Sequence, residues 1–527
     1  VLTKIENAII IDGSGEKSYK GSIAIQDDLI IGVGNVPDLT YDIVIDAKGK
    51  VVSPGFIDTH SHSDLMVFED PRILPKIMQG ITTEVLGQDG ISMAPLPEKY
   101  IDVWRRNISG INGYSDKIDW NYKTTKGYLK LLYNVKPGSN LCYLIPHGNV
   151  RMEVMGLDDR PATEQEIEKM KDVIRREMES GAIGMSTGLI YTPCTYANTK
   201  ELIELCKAVK EYDGIFVTHQ RSEGNNIIKS MEETFEIGEK SGVKIHFSHF
   251  KICSKKLWDK AEYLIEMIHK AEKEGISVSF DQYPYIAGST TLGVILPPWV
   301  HDGGNDKLME RLKDPVEREK ITEDIKTNTE WDNFIDFAGF DKIFITSVTK
   351  KENEKFLGKS LLEIAEMQGK DPYNASYDLI LDEQNSVGMV DYYGTEENVK
   401  LFIKCEEMNL CTDGLLGPGK PHPRVYGSFP RFLRKYYREE KIISLEEAIR
   451  KMTGKAADTF NLKKRGYLKK GYYADLVIFD PNTIADVATF ENPIAFPVGI
   501  DYVFVNGIIE VENSNHTGKR NGSVIYR

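Results

Sequence analysis

No uninterrupted apolar stretch approaches the roughly 20 residues that a helix needs to cross a bilayer. The opening VLTKIENAII also lacks the basic, then apolar, then small-residue order of a secretory signal. The expectation is a cytoplasmic protein with no membrane partner. Cysteine is scarce, with six residues (Cys142, Cys194, Cys206, Cys253, Cys405, Cys411) and no C-x-x-C spacing. That excludes a disulfide framework and a zinc knuckle, and leaves reduced, packed thiols. Positive charge is outnumbered, 66 Lys and Arg against 80 Asp and Glu, for a net charge of -14. A surface of that sign repels phosphate backbones, so nucleic acid is not an expected partner, although a local basic pocket for a small anion stays open. Internal repeats and low-complexity tracts are also missing. What is present, 41% hydrophobic and 28% charged residues, is ordinary for a globular chain.

The first fifty or so residues read as short strands with turns, KIENAIIIDGSG, GSIAIQDDLIIGVG and YDIVIDAKGKVV, punctuated by Gly and Asp as hairpins require. The pattern returns only at the far end, in GYYADLVIFDP, DYVFVNGIIEVE and GSVIYR. Residues 1–52 and 465–527 are therefore expected to form one small β-sandwich domain, with everything between inserted in it. In 53–464, short apolar strands alternate with amphipathic helical text, the pattern of parallel strands with helical crossovers. Eight strands are expected: Phe56–His62, Thr82–Gly87, Leu141–His147, Ala182–Thr187, Ile215–His219, Lys244–His249, Ser277–Gln282 and Leu410–Asp413. The fold class is α/β, a closed (β/α)8 barrel of the TIM type. A long interval at about 290–409, with charged helical text and one extra strand in DKIFITSV, reads as an insertion over the barrel mouth.

Chemistry in such a barrel collects at the C-terminal ends of its strands. In 54-PGFIDTHSHSD-64, strand alternation would turn Asp58, His60 and His62 to one face. An isolated His-x-His pair is also compatible with a structural accident. Yet His219 closes the fifth strand, His249 the sixth and Asp413 the eighth. Four histidines and a carboxylate at one mouth are the nitrogen and oxygen donors that a zinc-like divalent ion takes. His246 should face away from His249, and His269, His301 and His516 fall in helical or loop text. His147, ending the third strand, would either orient a ligand or pack against a neighbour. On strand alternation Arg221 and Lys251 share faces with His219 and His249, placing positive charge beside the cluster. Arg221 could equally pair with Glu223 or a neighbour. Arg424 would be an anion contact or a loop anchor.

These residues resemble a family. The PGFIDTHSH opening and the late Asp413 are similar to the amidohydrolase superfamily. The stretches 181-GAIGMSTGLIYTP-193, 218-THQRSEG-224, 248-SHFK-251, 281-DQYPYIAGST-290, 422-HPRVYGSFPRFL-433 and 469-KKGYYADLVIFDP-481 resemble its N-acyl-D-amino-acid deacylases, along nearly the whole chain. The resemblance implies a hydrolase that cleaves small N-acyl-D-amino acids with one or two divalent ions, most readily zinc. It places His60, His62 and Asp413 at one metal position and His219 with His249 at the other. The family's remaining ligand is a cysteine in a GNCG-like turn, where this chain has 87-GQDG-90. Asp89 stands there, either as a harder, carboxylate ligand or as a turn aspartate. The fourth strand, GAIGMSTG, offers no lysine of the kind that other branches carboxylate to bridge two ions. By the same resemblance Tyr191, Lys251, Tyr283 and Ser289 hold the substrate carboxylate, and Asp413 is the general base. Other readings are a cyclic-amide hydrolase, a deaminase, and a metal-free scaffold of the same fold.

Overall fold

The structure, a computed structural model, describes Val1 to Arg527. Strands β1 (Leu2–Ile10), β2 (Tyr19–Gln26), β3 (Leu29–Gly34), β4 (Ile43–Asp46) and β5 (Val51–Pro54) open the chain. Seven strands follow between helices: β6 (Phe56–Asp58), β7 (Ile81–Leu86), β8 (Asn140–Pro146), β9 (Gly184–Gly188), β10 (Ile215–His219), β11 (Lys244–Phe247) and β12 (Val278–Gln282). Then come β13 (Ala287–Thr291), β14 (Ile343–Ser347), β15 (Gly388–Tyr392) and β16 (Met408–Leu410). The chain ends with β17 (Leu476–Phe479), β18 (Ile500–Val505), β19 (Ile508–Glu512) and β20 (Asn515–His516).

Strands β6 to β12 and β16 pair in chain order as one parallel sheet. Strands β7, β8, β9 and β10 are buried at every residue, which is why they read as apolar runs rather than alternating ones. The crossover helices turn one apolar stripe inward. In Glu164–Glu179 that stripe is Ile167, Met170, Ile174 and Met178, and a Thr163–Glu166 capping box starts the helix. The sheet closes on itself where Ser61 bridges Gly414 and the Asp413 N–H donates to the His60 carbonyl at 2.9 Å. The eight expected strands are all present, but most stop short of the residues that matter. The first ends at Asp58 and the eighth at Leu410, so His60, His62 and Asp413 sit on the turns beyond.

That shortening separates Asp58 from the two histidines. Its carboxylate accepts from the Thr412 N–H at 2.8 Å and from the Lys76 ammonium at 2.6 Å, across the closing seam. Lys76 is wholly buried and also donates to Ser61 and Thr412 Oγ1, each at 2.9 Å, with Glu84 of β7 at 3.3 Å. One ammonium thus neutralises two buried carboxylates and fixes three barrel segments.

The two ends of the chain share a nine-stranded sheet, ordered β20-β19-β18-β17-β5-β1-β2-β3 with β4 also on β1. The expected sandwich takes the form of this one sheet curled over its own core, which includes Ile5, Ile23, Ile25, Ile45, Leu476 and Phe504. The curl brings the start of β3 back to the segment before β17, where the Ile30 N–H donates to the Tyr472 carbonyl at 2.9 Å. The insertion contains two strands rather than one, β14 and β15, which join β13 at its leading edge in an antiparallel sheet ordered β13-β15-β14 over a separate apolar core. Its inner strands lie against the barrel mouth. No helix is long and apolar enough to cross a membrane.

Removing the seam ammonium strands two buried carboxylates, and breaking such a pair costs about 3–5 kcal/mol. Lys76→Met is therefore expected to lower the urea midpoint by a corresponding amount. A midpoint equal to that of the parent protein would contradict this account of the seam.

Candidate metal centre and substrate pocket

Six expected donors converge, all of them buried, and they form two groups that share one residue. His60, His62, Asp89 and Asp413 are the first group; Asp89, His219 and His249 are the second. In the first, His60 Nε2 lies 3.2 Å from His62 Nε2 and 3.3 Å from both Asp89 Oδ2 and Asp413 Oδ1. His62 Nε2 lies 3.3 Å from Asp89 Oδ2 and 3.1 Å from Asp413 Oδ1. A tetrahedron built on 2.0–2.1 Å bonds has edges of roughly 3.3–3.4 Å, so these atoms are spaced as donors to one small cation. The other Asp89 oxygen, Oδ1, faces the second group, 3.5 Å from His249 Nε2 and 3.9 Å from His219 Nδ1. Both ring nitrogens of His219 and Asp89 Oδ1 are buried without a hydrogen-bond partner, which is costly unless a ligand satisfies them. The donor set, its spacing and these orphaned atoms fit a divalent metal.

The backbone is shaped for this convergence. Asp89, His249 and Asp413 adopt left-handed φ values of 58°, 36° and 48°. Such residues cost roughly 1–2 kcal/mol each, a strain that concentrates at functional sites. Asp89 is carried by a turn wedged against β9. A Cβ on Gly188 would lie 2.2 Å from the Asp89 carbonyl oxygen, and one on Gly87 would lie 2.1 Å from that of Leu144. Ser186 of β9 bonds the same turn, accepting from the Gly90 N–H at 3.0 Å. The end of the fourth barrel strand, which carries no lysine, is therefore covered by the turn that delivers Asp89.

Burial drives the His219 imidazole down to about 4, so it stays a neutral donor at ordinary pH. Burial would raise Asp413, but the Arg424 guanidinium, 3.1 Å from its Oδ2, and His60 hold the carboxyl well below its usual range. Glu223 is buried too, yet the Lys251 ammonium and His219 bring it down to about 2. This glutamate bonds His249 Nδ1 and Lys251 Nζ, each at 2.9 Å. It therefore orients one metal-type histidine and one cation together.

Above the donors lies a pocket lined by Tyr191, Lys251, Tyr283, Ser289, Asp391 and Tyr393 among others. Arg424 stacks over the Tyr283 ring at 4.5 Å and keeps Nε and Nη1 without partners. A wider cavity of about 990 Å³ adjoins it, sharing Ile111, Ser289 and Leu415 and extending between the helix Ile101–Asn112 and the insertion. Two expected residues are not brought to this pocket. Arg221 pairs with Glu233 at 2.9 Å, donates to the carbonyls of Thr195 and Ala197, and lines a separate cavity. His147 begins a helix instead of ending a strand, and its ring bonds Thr187 and Glu201, each at 2.8 Å. His246 is buried on the far side of its strand, 2.9 Å from Asp281.

A profile of the Amidohydrolase family matches residues 43–289 and 403–509. The chain belongs to the amidohydrolase family. The unmatched interval within this amidohydrolase is the insertion over the mouth. D-aminoacylase from Alcaligenes xylosoxydans xylosoxydans is 33% identical over 98% of this chain and 96% of its own. A solved D-aminoacylase structure, described for the functional role of its binuclear metal center, is 33% identical with a TM-score of 0.83, covering 100% of this chain and 99% of that one. N-acyl-D-glutamate deacylase from Bordetella bronchiseptica, solved with zinc and a phosphonate mimic of the tetrahedral intermediate, is 30% identical with a TM-score of 0.84 and the same coverage.

His147 allows a test independent of turnover. Burial pulls its imidazole down, but Cys194 and Glu201 outweigh that pull and lift it to about 9. A raised histidine stabilises the fold fully below its unfolded pKa near 6.5, and the contribution is lost as pH rises through 9. His147→Gln should thus show a shallower loss of stability between pH 6.5 and 9 than the parent. Parallel pH profiles for the two proteins would be the contrary result.

Proposed function

We propose that this amidohydrolase hydrolyses the linear amide of N-acyl-D-amino acids, releasing a carboxylic acid and the free amino acid, with zinc as its divalent ion. The observation that carries the reading is the sharing of Asp89 by two donor groups at the floor of a pocket lined by Lys251, with the buried Arg424 held against Asp413 and the Tyr283 ring behind it. His60, His62, Asp89 and Asp413 would hold one ion, and Asp89, His219 and His249 a second. Such an ion supplies Lewis acidity toward a carbonyl oxygen and a water of lowered pKa.

Asp413 would act as general base. Its Oδ1 faces the histidine pair, and the Arg424 contact on Oδ2 keeps the carboxylate ionised. The carboxylate would pass the proton it accepts from water to the departing nitrogen, because an amine leaves poorly unless protonated. Lys251, reaching the pocket beside His249, meets the substrate carboxylate with Tyr283, Ser289 and Tyr191. The two unpartnered Arg424 nitrogens suit a bidentate carboxylate contact. The lack of a fourth-strand lysine, with the Asp89 turn in its place, weighs against a cyclic-amide hydrolase of the lysine-bridged kind.

Asp413→Asn is expected to keep the fold, read by circular dichroism, while kcat falls by about 10²–10⁴-fold. A variant with the parent kcat would remove Asp413 from the role of base. The reading as a whole is tested with N-acetyl and N-formyl D- and L-amino acids on protein of measured metal content. Turnover of D substrates should vanish with chelation and return with zinc. Cleavage of hydantoins or dihydroorotate in preference to every N-acyl-D-amino acid would replace it with the cyclic-amide reading.

A further inference from the structure

Most charged groups around the pocket contact a group of opposite charge. Lys251 pairs with Glu223 at 2.9 Å and Arg424 with Asp413 at 3.1 Å, while Asp89 and Asp413 face the histidines. Asp391 remains. It lies on β15, opposite Gly288 of β13 and Ile343 of β14, and so is carried by the insertion and not by the barrel. Only 1% of it is exposed, it lines the pocket above the donors, and its Oδ2 has no hydrogen-bond partner. A Cβ built on Gly288 would sit 3.3 Å from Asp391 Oδ1 and 3.2 Å from the Tyr283 hydroxyl, so the carboxylate is beside the groups that would hold the substrate carboxylate. A buried carboxylate without donors is unfavourable unless something it binds supplies them.

The geometry points to Asp391 as the residue that selects the substrate side chain, favouring N-acyl-D-amino acids whose side chain is cationic, such as D-lysine or D-arginine derivatives. This inference rests on the deacylase reading. With the α-carboxylate at Lys251, Tyr283 and Ser289, the side chain starts one carbon away and reaches Asp391 at the insertion wall. An ammonium or guanidinium there satisfies the orphaned oxygen. Burial raises Asp391 to about 7, so above that pH, where the assay is run, a side-chain carboxylate meets a second negative charge in a buried setting, where repulsion is little screened.

The test is steady-state kinetics of the zinc-loaded full chain with N-acetyl-D-lysine, N-acetyl-D-leucine and N-acetyl-D-glutamate, together with product inhibition by free D-lysine and D-glutamate. The kcat/KM for the lysine substrate should exceed that for the glutamate substrate by roughly 10- to 100-fold, the worth of one charge-assisted hydrogen bond. D-lysine should be the stronger product inhibitor. Asp391→Asn should shrink both preferences about tenfold, chiefly through KM. A purely structural Asp391 would leave the ratios unmoved. The wild-type panel and product inhibition decide the matter even if the variant fails to fold. Equal or better turnover of the leucine or glutamate substrate overturns the side-chain assignment alone, whereas no turnover of any of the three overturns the deacylase reading and this assignment with it.

Discussion

The backbone hydrogen bond from Asp413 to the His60 carbonyl, 2.9 Å long, joins the first and last barrel strands beyond their regular ends. Everything at the mouth depends on that closure, because it brings His62 and Asp413, 351 residues apart in sequence, to 3.1 Å. Directly behind it, the buried Lys76 ammonium binds Asp58 and neighbours Glu84, with Thr412 and Ser61 as further acceptors. The seam therefore has a polar lock on one side and the proposed metal centre on the other. Neither is an apolar contact, although the barrel around them is packed with buried Ile, Leu, Val and Phe. The apolar core supplies the driving force for collapse, and the polar lock sets the register in which the two ends meet.

The barrel was legible in the sequence because parallel strands buried on both faces leave unbroken apolar runs, and because five of the eight runs end on a histidine or an aspartate. The histidines and Asp413 were found for that reason, and the structure brings them together. Asp58 illustrates where the reasoning stopped: two-residue alternation holds only within a strand, and β6 ends at Asp58 itself. Arg221 and His147 diverge from the pocket for the same reason. Each lies past a strand end, where the local turn and not the pleat sets direction.

Other residues gave no sequence signal at all. Glu223 acts through its spacing to His249 and Lys251, a relation made by the turn after β10. Asp391 lies on a strand of the insertion that the sequence did not announce, in the short run GMVDY between charged and polar segments. Its partner strand β13 is the polar pentapeptide AGSTT, equally without apolar alternation. A small sheet over a barrel mouth is half wet and half ligand-facing, so binary pattern carries little information there. The chemically variable part of the molecule is thus the part least readable from periodicity.

The aspartate at position 89 joins these threads. A thiolate offers one donor atom, whereas a carboxylate offers two that point apart. In this chain Oδ2 addresses His60 and His62 while Oδ1 addresses His219 and His249. A single carboxylate thereby spans two donor groups without a contribution from the fourth barrel strand. It can do so only because Gly87 and Gly188 let the turn press into the space above β9, to within distances that no side chain at either position would permit. Relative to the pattern the resemblance implies, the substitution is a carboxylate for a thiolate, and the turn that carries it covers the end of the fourth strand, where other branches bear a lysine. The harder donor shifts the proposed centre toward ions that accept oxygen ligands readily, while it keeps the single negative charge that a thiolate would carry there.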